Sequence, residues 1–338
     1  MALDRYARQL GLPEIGARGQ QRLAESSVLV VGAGGLGTHQ AELLARAGVG
    51  RLRIVDRDLV QLDNLHRQSL FDEADAAARW PKAEAAKRRL AEINRDVALE
   101  ALVVDVTPRN VERLLDGVGL VLDGTDNAET RYLVNDACIK HGLPWVYGGA
   151  VGARGAVMPV WPGVGPCLRC VFPDPPAPGT LPTCELRGVL NTLPAMVAAL
   201  QVTVAIRLLV EDPPRETHLT AIELWEASFR QIRVERAPGC PCCGERRFDF
   251  LEARETSLAT SLCGRNAVQV TPASPASLDL AALALRLGEI GDARSNGLLL
   301  TLGVGDHELV VFPDGRAIVR GTSDLALART LYARYVGA

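Results

Sequence analysis

The sequence predicts an α/β protein: a Rossmann-like, mostly parallel sheet that continues into antiparallel strands, followed by a small α+β domain. Three observations carry this. A β-branched run, Val28 to Val31, leads into the glycine-rich stretch Gly32 to Gly37 and then into a helical pattern. Short apolar runs alternate with helical patterns as far as Tyr147, the signature of parallel strands covered on both faces. Past Gly148 the texture changes to glycines and β-formers, and from about Phe248 a separate unit begins. The expected division is residues 1–247 and 248–338.

Each element has a local reason. The helix through Ala41, Leu44 and Ala45 stops at Gly48 and Gly50, and Leu52–Val55 is the next strand, closed by Asp56. Ala83–Ile93 reads as helix, Leu99–Val104 as strand, Arg109–Leu115 as helix and Leu120–Leu122 as strand. Ala128–Ile139 is helical and Trp145–Tyr147 extended. Antiparallel strands follow through Trp161, then a proline-rich loop over Pro173–Pro182, a buried helix, and strand-like stretches in Thr220–Val234. The last unit has strands near Ala267–Val270, Leu298–Leu302, Glu308–Phe312 and Ala317–Val319. Its helices lie near Leu278–Leu287 and Asp324–Tyr335, and the linker-like TPASPAS, Thr271–Ser277, lies within it.

Composition removes several function classes. With 37 basic and 40 acidic side chains the net charge is −3, so nothing calls for nucleic acid or an anionic membrane as partner. The start, MALDRYARQL, lacks the charged-then-apolar pattern of an export signal, and a cytoplasmic enzyme is expected. The longest apolar segment, Leu193–Val210, carries Pro194, Gln201, Thr203 and Arg207, and reads as a core helix rather than a membrane span. In a reducing compartment, the eight cysteines point to metal or catalysis before disulfides.

Gly32-Ala33-Gly34-Gly35-Leu36-Gly37 fits G-x-G-x-x-G. Gly32 permits a tight turn, Gly34 lets a phosphate approach the backbone, and Gly37 allows close helix–sheet packing. The helix that follows offers free N–H groups and a positive dipole end to an anion. Asp56, 19 residues after Gly37, closes the next strand where a carboxylate accepts from ribose hydroxyls. No Walker A loop is present, so ATP, if used, is not held as a P-loop enzyme holds it.

Just beyond that strand, VDRDLVQLDNLHRQSLF places Asp56 and Asp58 beside Asn64, Arg67 and Gln68, and Lys82 opens the next helix. Reaction at the α-phosphorus of a triphosphate needs cations against the charge of the departing pyrophosphate, a role for Arg67 and Lys82. Hydride transfer to a nicotinamide, the rival dehydrogenase reading, needs neither. In VLDGTDNAETRY, Asp123 and Asp126 flank a strand-to-helix turn at the same sheet edge, a position for Mg²⁺ bridging phosphate oxygens. Asp126 also suits a helix N-cap.

Together, GAGGLG, D-x-D-x-V-x-x-x-N-L-x-R-Q, a Pro-Lys pair and D-x-T-D-N-x-x-T-R resemble the family that includes ThiF, MoeB, HesA and the ubiquitin-activating enzymes. RYARQLGLPEIGARGQQRL at the start, PCLRC, TCELRGVL and CPCCG extend the likeness over residues 5 to 245, and the last segment resembles the C-terminal extension of a longer ThiF type. The resemblance implies ATP-dependent adenylation of the C-terminal Gly-Gly carboxylate of a ubiquitin-like sulfur carrier. A ThiS-like carrier of thiamine biosynthesis comes first, with a MoaD-type or tRNA-thiolation carrier, or a tRNA base, as alternative acceptors. It implies Asp56 on ribose, Arg67 and Lys82 on phosphates, Asp126 on Mg²⁺, and Asn64 and Gln68 shaping the site with Asp58 and Gly35. It also implies Arg8 reaching the phosphates from the partner subunit of a homodimer. Asp63 and His66 stand where relatives often carry Ser and Gln; His66 reads as a polar flank. The inactive halves of heterodimeric activating enzymes lose the nucleotide residues, which are all present here.

Cys167-x-x-Cys170 and Cys240-x-x-Cys243 have metal-ligand spacing, and four sulfurs without His favour a closed structural Zn²⁺ site. The 69 intervening residues must return the chain for the pairs to meet, a pairing the resemblance supports. Cys242 competes with Cys243; its shorter bite with Cys240 makes Cys243 the expected ligand. Cys184, ahead of the buried helix, is a candidate nucleophile, and in ThiF-like relatives this position takes part in sulfur transfer, with a cysteine desulfurase or sulfurtransferase as partner. Cys138 reads as core packing and Cys263 has no assigned role. The C-terminal unit has three open readings: carrier binding, docking of a downstream sulfurtransferase, or support of the dimer.

Overall fold

Strand β1 (Ser27–Val31) has a parallel neighbour on each side, β2 (Arg51–Val55) and β4 (Leu120–Asp123). Its side chains alternate between two cores: Val28 and Val30 enter one, Leu29 and Val31 the other. A strand covered on both faces has no polar side, which is why SVLVV reads as an unbroken apolar run. β3 (Ala98–Leu102) pairs parallel with β2, and β5 (Trp145–Val151) parallel with β4. From β5 onward the sheet turns antiparallel through β6 (Arg154–Val160), β7 (Thr217–Glu223) and β8 (Ser228–Val234), giving the order β3-β2-β1-β4-β5-β6-β7-β8. The computed structural model describes residues 3–175, 188–211, 216–252, 259–262, 266–271, 277–288 and 291–336.

In chain order the helices of this unit are α1 (Ala7–Leu10), α2 (Gly16–Glu25), α3 (Gly35–Ala47), α4 (Glu73–Ala77), α5 (Lys82–Ile93), α6 (Val111–Leu114) and α7 (Ala128–His141). They continue with α8 (Leu168–Val171), α9 (Thr192–Val210) and α10 (Asp249–Glu252). Ala41, Leu44 and Ala45 of α3 share a core with Leu193, Val197 and Ala205 of α9 and with Val28, Val30, Leu52 and Ile54 of the sheet. Tyr132, Leu133, Ala137 and Cys138 of α7 cover the other face. Cys138 is fully buried, and burial pushes its thiol well above the ordinary range. Among the described residues α9 alone has the length and hydropathy of a membrane span. Its Leu193, Val197, Ala198 and Ala205 are nonetheless fully enclosed by protein.

The polar interruption of α9 has a partner. Gln201 donates to the backbone oxygens of Asp123 (2.9 Å) and Val146 (3.2 Å), and its Oε1 accepts from Gln40 of α3 at 2.6 Å. Two buried amides thus tie both helices to the carboxyl end of β4 and the start of β5. Gln201 is thereby satisfied at both ends of its amide, as buried polar groups commonly are.

The chain divides into Met1–Arg254 and Glu255–Ala338. Phe248 and Leu251 pack into the core of the first unit, so the boundary falls a few residues beyond the expected 247/248. The second unit is an antiparallel sheet of β9 (Ala259–Leu262), β10 (Ala267–Val270), β11 (Asp292–Ser295), β12 (Leu300–Val304), β13 (His307–Val311) and β14 (Ala317–Arg320), in the order β11-β12-β13-β14-β10-β9. Helices α11 (Leu280–Leu287) and α12 (Leu325–Tyr335) are each capped by an aspartate, Asp279 and Asp324, and share a core with β10 and β12–β14. β9 and β11, which the sequence pattern missed, are the two edge strands. Short, polar edges such as DARS carry no hydrophobic alternation to read.

A Cβ on Gly37 would lie 1.8 Å from the Gly32 carbonyl oxygen, a backbone atom that cannot move aside without breaking the turn. Gly37→Ala is therefore expected to cost about 3 kcal/mol or more, read as a fall in melting temperature or loss of soluble protein.

Candidate functional site

The glycine turn is a crossing of backbones. Gly32 has φ +92° and its N–H donates to the Val55 carbonyl at 2.7 Å, extending the β1–β2 pairing past the strand end. Gly124, just after β4, faces it: a Cβ on Gly32 would lie 2.7 Å from the Gly124 oxygen, and one on Gly124 2.6 Å from the Gly32 oxygen. Gly34 differs, because among the described residues a Cβ there would meet only the Gln68 Nε2 at 3.9 Å and the Gly124 oxygen at 4.0 Å. The turn is closed behind and open in front. No side chain caps the start of α3, so its first N–H groups remain for an incoming anion.

Asp56 and Asp58 brace this turn. Asp56 Oδ2 accepts from the Ala33 N–H and Oδ1 from the Asp58 N–H, each at 2.6 Å. Burial raises the Asp56 carboxyl above its ordinary range and Asp58 adds to the rise, against the Lys82 cation and the two N–H bonds. Lys82, the first residue of α5, is buried; its Nζ lies 3.3 Å from Asp58 Oδ2 and its N–H donates to the Asp58 carbonyl at 2.9 Å. Arg57, between the two aspartates in sequence, pairs with Asp105 beyond β3 at 2.9 Å and lies 4.0 Å from Asp58. Burial works against its charge, and Asp105, Asp58 and then Asp126 more than offset that.

Asn64, Arg67 and Gln68 reach the same place through the short helical turn Leu62–Asn64. Asn64 and Gln68 are buried, and the oxygens Asn64 Oδ1 and Gln68 Oε1 have no hydrogen-bond partner among the described residues. A buried, unsatisfied amide oxygen costs about 1–3 kcal/mol, so two beside an open glycine cradle suit a ligand that brings donors. Arg67 Cγ lies 3.6 Å from where a Gly35 Cβ would be, while its Nη1 donates to the Asp63 carbonyl (3.0 Å) and to His66 Nε2 (2.8 Å). His66 is thus a polar neighbour of Arg67.

The acidic pair after β4 separates into two roles. Asp123 is buried and committed: Oδ1 accepts from the Thr125 N–H and hydroxyl, and Oδ2 from Arg131 Nε at 3.0 Å and the Gly148 N–H at 3.3 Å. That commitment removes it as a metal ligand. The cap of α7 is Asn127, whose side chain accepts from the Thr130 N–H at 2.8 Å, so the capping reading of Asp126 is corrected by one residue. Asp126 is exposed and makes no hydrogen bond or ion pair with the described residues, although Arg57 and Arg131 both feel its charge.

The cysteine pairs meet. The sulfurs of Cys167, Cys170, Cys240 and Cys243 all lie within 4.8 Å of one another, with Cys167–Cys240 at 3.5 Å and Cys170–Cys243 at 3.4 Å. Four thiols at that spacing form a closed donor set able to hold one metal ion. Cys242 stands aside, its sulfur accepting from Asn135 Nδ2 at 3.2 Å. Oδ1 of the same Asn135 accepts from the Leu168 N–H at 2.9 Å, so one amide of α7 grips both knuckles. Arg131, one turn earlier on the same face of α7, holds Asp123.

Of the remaining expected residues, only Arg8 is described, and it lies apart from this edge. Cys184 and Cys263 fall outside the described residues; the described flank of Cys184 begins at Gly188, which pairs with Gly152. Arg8 is exposed on α1, and α1 is moored at the far ends of the helices that start at the site. Gln9 donates to the Ala47 carbonyl, Arg5 to that of Ile93, and Tyr6 packs against Gly48. A 13-residue α3 spans about 20 Å, beyond the reach of an arginine side chain, so Arg8 cannot serve the glycine turn of its own chain. Sequence reasoning missed Arg57 and Arg131. Both lie inside the quoted motifs; the partner of Arg57, Asp105, follows another strand, while Arg131 pairs with Asp123 and Thr125 of its own motif.

Fold and site define a Rossmann-like α/β protein whose ligand edge gathers a glycine turn, two braced aspartates and a buried lysine. Residues 6–242 match the ThiF family. The sulfur carrier protein ThiS adenylyltransferase of Bacillus subtilis is 40% identical over 336 residues, 98% of this chain and 99% of that protein. The sulfur carrier protein adenylyltransferase of Thermus thermophilus is 45% identical over 249 residues, 72% of this chain and 91% of that one. The crystal structure of E. coli MccB with ATP shares the fold, with a TM-score of 0.61 at 21% identity over 71% of this chain and 74% of that one. The chain belongs to the ThiF family.

Elemental analysis of purified protein is expected to find roughly one tightly held metal ion per chain, lost in Cys243→Ser and retained in Cys242→Ser.

Proposed function

We propose that the chain is an ATP-dependent adenylyltransferase that activates the C-terminal Gly-Gly carboxylate of a ubiquitin-like, ThiS-type sulfur carrier in thiamine biosynthesis. The observation that carries this is Asp126. It is an uncommitted carboxylate beside two arginines, at the same sheet edge as an open glycine cradle and the Asp58–Lys82 pair. The likeness to the Bacillus subtilis enzyme over nearly its whole length supports the acceptor.

In this reading the carrier's carboxylate oxygen attacks the α-phosphorus of ATP, the bond to the β-phosphate bridging oxygen breaks, and pyrophosphate leaves from an acyl-adenylate. Gly34 and the start of α3 present N–H groups to the phosphates, and Asp56 accepts from ribose. Lys82 and Arg67 offset the charge that grows on the departing pyrophosphate. Asp126 holds Mg²⁺, which supplies further charge neutralisation when bound. Asn64 and Gln68 offer their oxygens to donors on the nucleotide. The four-cysteine cluster takes Zn²⁺ in a structural role, since it has no ligand position left open. Cys184 supplies the thiol for the later sulfur-transfer step, fed by a cysteine desulfurase or sulfurtransferase in the cytoplasm.

The mooring of α1 supports a homodimer in which each Arg8 completes the partner's site. Purified protein with ATP, Mg²⁺ and a ThiS-type carrier is expected to catalyse carrier-dependent ATP–pyrophosphate exchange. Lys82→Ala and Asp126→Ala should each lower it about a hundredfold or more, and exchange only with a MoaD-type or tRNA-thiolation carrier would reassign the acceptor. Cys184→Ser should keep the exchange and lose thiocarboxylate formation, measured by carrier mass. Arg8→Ala and Asp126→Ala chains, each inactive alone, should recover about a quarter of wild-type exchange when co-refolded, because half of random dimers then hold one intact site of two. Absence of recovery would place Arg8 outside the reaction.

A further inference from the structure

The nucleotide site described above uses Asp56, Lys82 and Asp126, but leaves Arg57 without a task. Its position is suggestive. A nucleotide with its phosphates at the β1 turn and its ribose at Asp56 of β2 runs outward along the sheet edge, and the next strand in that direction is β3. Arg57 and Asp105 occupy that step, at the ends of β2 and β3.

The guanidinium there is held from its rim. Nη1 meets Asp105 Oδ1 at 2.9 Å and Nε lies 4.0 Å from Asp58 Oδ1, while the side chain keeps 27% of its surface exposed. Asp105 is itself braced, because Asn110 Nδ2 donates to its carbonyl at 2.7 Å and Asn110 Oδ1 accepts from the Thr107 N–H at 2.9 Å. With Nη1 bonded to Asp105 and Nε facing the Asp58 carboxylate, the plane of the guanidinium is set before a ligand arrives. What it retains is a flat cationic face, fixed in advance, and guanidinium faces stack on aromatic rings.

We propose that Arg57 is a specificity residue of the nucleotide site, stacking its guanidinium plane on the purine base, with Asp105 and Asp58 as the positioning carboxylates. The ligand chemistry is a purine nucleotide, recognised by ring area rather than by exocyclic groups. A cation serving phosphate would need only charge; a stacking plane needs shape. Lysine therefore substitutes in the first case and fails in the second.

The test is equilibrium binding by calorimetry on the full-length protein, with ATP, CTP and inorganic tripolyphosphate as probes. Arg57→Ala should weaken ATP binding about tenfold, weaken CTP less, and leave tripolyphosphate unchanged, and Arg57→Lys should not restore ATP. Asp105→Asn keeps the arginine but loosens its rim; it should give a smaller loss with the same preference for ATP over tripolyphosphate, and it stands as the test if Arg57→Ala does not fold. Equal losses for ATP and tripolyphosphate, or rescue by lysine, would overturn the proposal in favour of a phosphate contact. Unchanged ATP binding in Arg57→Ala would reduce Arg57 to a structural partner of Asp105. The inference rests on the adenylation reading only for its ligand. A wild-type protein that binds ATP but activates no carrier ends that reading and leaves Arg57 standing, whereas wild-type affinity in Arg57→Ala ends this proposal alone.

Discussion

Three main-chain segments come together at Gly32, Gly37 and Gly124, and the rest of the ligand edge depends on their having no side chains there. Carbonyl oxygens stand where each Cβ would go, at 2.7, 1.8 and 2.6 Å. This approach brings the β1 turn against the end of β4, and so puts Asp126 within electrostatic reach of Arg57, beside the aspartates that follow β2, as well as of Arg131. Without it the acids and cations would sit on neighbouring strands with no common focus. The buried Gln40–Gln201 pair works to the same end from below, fixing two helices to the end of β4 and the start of β5.

Much of this edge was legible because its signals are contiguous. Gly32 to Gly37, Asp56, Lys82 and the two C-x-x-C pairs each state their spacing within a few residues, and geometry follows from spacing. The limits appear where a role depends on a distant partner. Arg57 cannot be told from any surface arginine until Asp105, 48 residues on, is seen beside it. Asp126 and Asn127 are both capping types, and only backbone geometry decides that Asn127 caps and leaves the aspartate uncommitted. The choice of Cys243 over Cys242 was open to reasoning about bite, yet the reason Cys242 is held away, the Asn135 amide, comes from α7. The polar edge strands β9 and β11 carried no period to detect.

The charge balance of the edge is tighter than its net charge implies. Asp56, Asp58, Asp105 and Asp126 lie among Arg57 and Lys82, and burial already pushes the Asp56 carboxyl upward. Each lysine or arginine there is therefore shared between holding the aspartates in place and meeting whatever anion enters. That sharing explains why the basic side chains are anchored by their neighbours instead of extending freely into water: an anchored cation costs less to organise when the ligand arrives.

Helix α7 joins the two halves of the unit's chemistry in one rigid body. Arg131 clasps the aspartate at the sheet edge, and Asn135, one turn on, grips both cysteine knuckles. One turn of α7 thus separates the hold on the β4 turn, next to Asp126, from the hold on the segments that carry the four thiols. The same helix face therefore serves both the cysteine knuckles and the turn that carries Asp126.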